Sequence, residues 1–242
     1  MIKLQNVSKS YSKGSVKAVD NINLDVKSGE IFGFLGPNGA GKTTTIKMIV
    51  GILKQDSGNI TIDGIDTIDN PIEAKMKFSY VPDSPELYDK LTGIDYLNFL
   101  SDIYKVSKED RIDRIKKYSS LFEIENSLGD FIESYSHGMK QKLALVGALV
   151  HEPDIFILDE PMVGLDPKSA FNLKKHMRER CENGKTVFFS THVMEVAEKI
   201  CDRIAIISKG KIIAVGTIEE LRNMADDETS LENIFLELTE ND

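Results

Sequence analysis

The sequence predicts an α/β fold in which an open, mostly parallel sheet carries an added antiparallel β layer and an inserted helical lobe. Three observations point there. Two continuous apolar runs, Ile31-Phe32-Gly33-Phe34-Leu35 and Ile155-Phe156-Ile157-Leu158, have the composition of strands buried on both faces. Strict alternation at Ile22, Leu24 and Val26, and at Ile60 and Ile62 after the turn Asp56-Ser57-Gly58, marks strands with one wet face. Between about Thr92 and Phe122 the apolar spacing becomes helical, with Ile94, Leu97, Leu100 and Ile103 followed by Ile112, Ile115 and Leu121.

In chain order, the segment from Met1 to about Asp69 reads as the antiparallel layer, interrupted by the buried strand 31–35. A helix is expected from about Lys42 to Leu53. Thr92 is placed to start the first helix of the lobe, and Ser107 with Asp110 resembles a capping box for the second. Internal packing is the simplest reading of both stripes. Another helix runs from Ser136 to about Val150 and stops before Pro153. Asp166-Pro167 sets a cap before a proline at the first helical position, and Asn183-Gly184 ends that helix. Strands follow at Thr186 to Phe189, Ile204 to Ile207 and Lys211 to Val215, the last two joined by the turn Ser208-Lys209-Gly210, before two short helices. One domain results, with core and β layer over 1–82 and 153–242 and the helical part over 83–152.

Composition narrows the function. The longest apolar run, Leu143 to Val150, falls far short of the roughly 20 residues of a membrane span, so a membrane role is expected to be peripheral. Met1 leads directly into Ile2 and Leu4, with no secretory leader expected. Cys181 and Cys201 fit neither a disulfide framework nor metal-ligand spacing and read as reduced thiols of a cytosolic protein. A net charge of -9 argues against a broad nucleic-acid surface.

The chemistry begins after the first buried strand. Gly36-Pro37-Asn38-Gly39-Ala40-Gly41-Lys42-Thr43 has the spacing of a phosphate-binding loop, between a strand and a helix as such a loop requires. Backbone N–H groups from about Gly39 to Thr44 and the positive end of the helix dipole suit phosphate oxygens; Lys42 suits the β- and γ-phosphates and the Thr43 hydroxyl a Mg2+ ion. Asp159 and Glu160 follow the second buried run, at the strand end where open α/β sheets build their sites. Asp159 suits the cation, Glu160 the attacking water.

With these motifs together, the chain resembles the ATP-binding subunits of ABC transporters over nearly its whole length. The resemblance implies a P-loop NTPase, RecA-like core and a Mg2+-dependent ATPase. Gly36 to Thr43 matches Walker A and Ile155 to Glu160 matches Walker B with its catalytic glutamate. Tyr11 takes the place of the aromatic that stacks on adenine, Gly164-Leu165-Asp166 that of the D-loop, and His192, beyond the strand ending at Ser190, that of the switch histidine. Taken alone, Tyr11 and His192 would be an ordinary aromatic and an ordinary histidine. His137, His151 and His176 show no metal-ligand spacing.

Tyr135-Ser136-His137-Gly138-Met139 aligns with the family signature LSGGQ, retaining Ser136 and Gly138 as γ-phosphate contacts. His137 replaces a glycine, and a cost in backbone freedom is expected there. Asp83 stands where the family has a glutamine beside the metal and water; it is a candidate for the metal or for coupling.

The resemblance further implies a head-to-tail dimer, with itself or with a related ATP-binding subunit, at the inner face of the cell membrane. Its partner would be a membrane-spanning subunit, received by the segment from Asp83 to Leu91, where Leu87, Tyr88 and Leu91 offer apolar contacts. The tail Ser230 to Thr239 is similar to those of ATPases serving ABC-2-type exporters, whereas Asp226-Asp227-Glu228 is most simply a solvated loop. The alternative is a regulatory or translation-associated ATPase of the same superfamily, although the doubled domains or charged segments usual there are missing. No Asn-Lys-x-Asp segment reads guanine.

Overall fold

Alternating apolar residues in Ile2–Tyr11 (β1) and Val16–Val26 (β2) pair these segments as an antiparallel ribbon with one buried face. Leu4 lies opposite Leu24 and Val7 opposite Ile22, and all four are buried. The computed structural model describes residues 1–12, 16–224, 231–232 and 235. In it β1 also pairs with Ser57–Ile62 (β4), which pairs with Ile65–Asp66 (β5), giving the order β2-β1-β4-β5.

The continuous apolar runs become the interior of a second, six-stranded sheet. Ile31–Leu35 (β3) lies between Thr186–Thr191 (β8) and Arg203–Ser208 (β9), while Ile155–Asp159 (β7) lies between β8 and Phe78–Val81 (β6), all parallel. Lys211–Gly216 (β10) closes one edge antiparallel to β9, through a turn with φ of 46° at Lys209 and 80° at Gly210, the signs of a type I′ hairpin.

Period-two alternation sends β7 into two cores. Ile155 and Ile157 join the core shared with the antiparallel sheet and with Lys42–Ile49 (α1). Phe156 and Leu158 join the helices on the opposite face. Those are Gly93–Ile103 (α3), Lys108–Leu121 (α4), His137–Leu149 (α5) and Pro167–Glu182 (α6), α2 being the single turn Pro71–Lys75. Met194–Ile200 (α7) and Ile218–Met224 (α8) flank the β9–β10 hairpin in sequence.

Several expectations need correction. α1 ends at Ile49, not Leu53, because Gly51 turns to a φ of 70° and the Ile52 and Leu53 amides both return to the Lys47 carbonyl. Ile103 and Ile112 are exposed, at 51% and 68%, so not every apolar position of α3 and α4 serves packing. Thr92 caps α3 as expected, its Oγ1 accepting from the Asp95 amide. The Ser107 box is half formed: Ser107 accepts from the Asp110 amide, but the Asp110 carboxylate takes the Ser107 hydroxyl and not its backbone N–H. α2, β6 and α7 were not expected from the sequence as elements. The acidic run 226–228 and most of the tail 230–239 lie outside the described residues; Leu231 and Phe235 are buried beside Leu35, Ile204 and Leu221.

Candidate active site

The C-terminal ends of β3, β7 and β8 meet at one point, and the site is built there. Gly36 follows β3, and the loop runs to Gly41, the N-cap of α1, which has no side chain to cap the helix and no acidic residue in its first turn. The amide end of α1 is thus left for an external anion. The Ala40 amide is already used inside the loop, by the Pro37 carbonyl at 3.2 Å. Gly41 has a φ of 108°, and a Cβ there would lie 2.4 Å from the Ala18 carbonyl oxygen, so both backbone angle and space demand glycine.

Lys42 is buried, and its Nζ donates to the carbonyls of Gly36 at 2.7 Å and Pro37 at 3.2 Å. The same ammonium lies 3.4 Å from Glu160 Oε1, while Glu160 Oε2 lies 3.0 Å from His192 Nδ1. Glu160 therefore bridges the loop lysine and the histidine beyond β8. Its φ of 47° is left-handed, a costly state for a side-chain-bearing residue and one that clusters at functional sites.

Asp159 is 1% exposed. Its Oδ1 accepts from the Ser190 hydroxyl at 2.5 Å, and Ser190 Oγ in turn accepts from the Glu160 amide at 3.1 Å. Burial pushes the Asp159 carboxyl above the usual range, against the Ser190 and Thr43 hydroxyls, with Asp83 and Glu160 adding to the rise. Its Oδ2 is buried without a hydrogen bond. A buried, unsatisfied carboxylate oxygen beside a threonine hydroxyl is an all-oxygen donor pair suited to a hard divalent cation. Among the described residues no group of three or more His, Cys, Asp or Glu side chains could hold a metal, so such a cation needs further oxygens from a ligand.

A cavity of about 210 Å3 opens over this arrangement, lined by Asn38, Gly39, Lys42, Thr43, Thr44 and Asp83 among others. The expected residues do not all line it. Tyr11, 43% exposed, is the last residue of β1 and lies opposite Val16, the first of β2, at the connected end of the ribbon. Ser136 and Gly138 lie at the start of α5, where Ser136 caps the helix by accepting from the Met139 amide at 3.3 Å.

The ABC transporter family profile matches residues 19–163. The linearmycin resistance ATP-binding protein LnrL of Bacillus subtilis (strain 168) is 39% identical over 221 residues, covering 91% of this chain and 70% of that protein. The chain belongs to the ABC transporter family. A solved ATP-binding subunit of an ABC transporter superposes with a TM-score of 0.94 at 33% identity, over 99% of both chains. The ATP-binding cassette MJ0796, in a dimeric post-hydrolysis state bound to ADP and Pi, gives a TM-score of 0.82 at 29% identity, over 90% of this chain and 99% of that one. The chain is thus an ATPase subunit of the ABC type, and the regulatory or translation-associated alternative finds no support among these relatives. Among the described residues no helix is long and apolar enough to cross a membrane.

Ser190 was missed as a site residue by sequence reasoning. A serine ending a buried strand has no local signature. The available signal was the parallel ending of two apolar runs, Leu158-Asp159 and Phe189-Ser190, which pair in register. The backbone freedom of a glycine is not called on at His137, because His137 and Gly138 sit in the first turn of α5 without positive φ.

Proposed function

We propose that this chain uses Mg2+ and ATP to drive a separate membrane-spanning subunit, and that Lys42, Glu160 and His192 carry the hydrolytic step. The observation that carries the reading is the bridging of Glu160 between Lys42 and His192 at the mouth of the glycine loop. Residues Gly36 to Thr44 cradle the phosphates and Tyr11 stacks on adenine. Lys42 neutralises developing charge on the β- and γ-oxygens. Glu160 orients the attacking water and takes its proton as the water oxygen bonds to the γ-phosphorus and ADP departs with the bridging oxygen. His192 fixes the Glu160 carboxylate and contacts the γ-phosphate. Thr43 and Asp159, with Asp83 nearby, would hold Mg2+, which supplies charge neutralisation and alignment of the phosphate chain.

Ser136 and Gly138 are not among the residues that line the chain's own cavity, which favours their action on the nucleotide of a second subunit, identical or related, in a head-to-tail dimer. For the membrane partner, the segment 83–91 is the favoured seat, on the helical part 83–152. A cavity of about 150 Å3, lined by Ser79, Glu86, Leu87, Tyr96 and Leu100 among others, adjoins the exposed Tyr88 and Phe99, which meet edge-on at 5.8 Å. Lys140 ties Asp89 of this segment to α5 at 2.7 Å, giving nucleotide-driven motion a route to the partner. The chain then works at the inner face of the cell membrane. The resistance function in the name of the Bacillus relative favours export as the direction.

The test is Glu160→Gln, an isosteric change that removes the proton acceptor. It should abolish turnover and accumulate an ATP-bound dimer on size-exclusion chromatography. A variant that stays monomeric with ATP, or hydrolyses it at the wild-type rate, rejects the assignment.

A further inference from the structure

Where the family signature has a glycine, this chain places the His137 ring across the backbone of Gly164. A Cβ built on Gly164 would lie 2.7 Å from His137 Cδ2 and 3.0 Å from Nε2. Two further contacts act on the same short segment. A Cβ on Gly138 would lie 2.8 Å from the Gly164 carbonyl oxygen, so α5 and Gly164 are in close backbone approach. One turn further along α5, Lys142 Nζ lies 2.6 Å from Asp166 Oδ2, and Asp166 caps α6 through the Ser169 amide at 2.9 Å. The Lys142 side chain is 15% exposed and that of Asp166 43%, and Lys142 heads the causes that hold the Asp166 carboxyl well below its usual range.

The gripped segment is joined to Glu160 by consecutive turns, Val163 N–H to Glu160 O at 3.2 Å and Leu165 N–H to Met162 O at 3.4 Å. The start of α5 and the catalytic carboxylate of the same chain are therefore connected through a short run of residues with little slack. We infer that His137 is a positioning residue that registers the signature segment, serving one nucleotide, against Glu160, serving the other. The inference rests on the head-to-tail reading above. Glycine at 137 leaves the Gly138 approach and the Lys142–Asp166 pair intact but removes the ring that lies against Gly164.

The experiment compares His137→Gly and His137→Phe with wild type in ATP hydrolysis over a range of ATP concentrations, alongside nucleotide binding to the monomer. His137→Gly should lower kcat by about fivefold and bring the Hill coefficient toward one, the size of effect typical of residues that modulate coupling without touching ligand. ATP binding by the monomer should not change. His137→Phe, which keeps a flat ring over Gly164, should recover most of both quantities. Wild-type kcat and Hill coefficient in His137→Gly overturn the inference, as does a phenylalanine variant as impaired as the glycine one. Dimerisation of Glu160→Gln is measured in parallel: its failure rejects the head-to-tail reading itself, whereas a normal dimer with an indifferent His137 rejects only this proposal.

Discussion

Two glycines of the phosphate loop make different demands, and the difference can be measured. Gly39 has a φ of 81°, and a Cβ added there would have nothing within 4 Å, so alanine meets only left-handed strain. That strain is roughly 1–2 kcal/mol, offset by about 0.4–1 kcal/mol from the stiffer unfolded chain, leaving about 1 kcal/mol. Gly41, at a φ of 108°, lies outside even the left-handed well, and its Cβ would sit 2.4 Å from the Ala18 carbonyl oxygen, a backbone atom of β2. Overlap of this kind adds about 1–3 kcal/mol as strand and helix move apart, for a total of about 3–5 kcal/mol. For a chain of 242 residues each kcal/mol shifts Tm by about 2–4 °C. Gly39→Ala should therefore lower Tm by a few degrees and Gly41→Ala by about 6–20 °C, read by calorimetry without nucleotide at matched protein concentration. Equal shifts for the two would refute the claim that close approach to β2 sets the glycine requirement.

Ser190→Ala removes the hydroxyl that joins Asp159 to the Glu160 amide, leaving a buried carboxylate oxygen and an amide unpaired; stability should fall by about 1–3 kcal/mol, and steady-state kinetics should show a larger loss in kcat than in ATP affinity. Burial pushes His151 and His176 down to about 4, against about 6.5 when unfolded. Between those values the unfolded chain binds protons that the folded chain does not, so stability falls on acidification from about pH 6.5 toward 4, by up to about 1.4 kcal/mol per pH unit for each histidine. His176→Gln should flatten that slope in urea titrations, and an unchanged slope contradicts the assignment. Burial pushes the Cys181 thiol up to about 11 and raises Cys201 as well. Mass spectrometry should find both unmodified by iodoacetamide at about pH 8 in the native protein and alkylated in denaturant.

What was legible in the sequence is what is encoded locally. Ile31–Leu35 and Ile155–Leu158 could be recognised because a strand covered on both faces must be apolar at every position, whatever its neighbours. The loop from Gly36 to Thr43 could be recognised because its geometry is set by its own glycines and its own helix. α2 and α7 were not legible, since elements of five and seven residues carry too few periods to stand out from loop. The end of α1 was misplaced because Ile52 and Leu53 continue an apolar pattern past Gly51, where the backbone has already turned.

His137 departs from expectation for a more instructive reason. A glycine in a motif can be present for its φ or for its lack of a side chain, and the sequence does not say which. The expected cost in backbone freedom assumed the first, but residue 137 adopts ordinary helical angles, so its side chain costs the backbone nothing and is available for contact. At Glu160 the converse holds. No glycine marks the position, yet its φ is 47°, fixed between the hydrogen bond that its amide donates to Ser190 Oγ and the turn to Val163. The left-handed turn brings the carboxylate back from the end of β7 to lie between Lys42 and His192, which an extended residue continuing the strand would not do. The strain is thus the structural counterpart of the bridging carboxylate, held by a serine 30 residues away that no local pattern reveals.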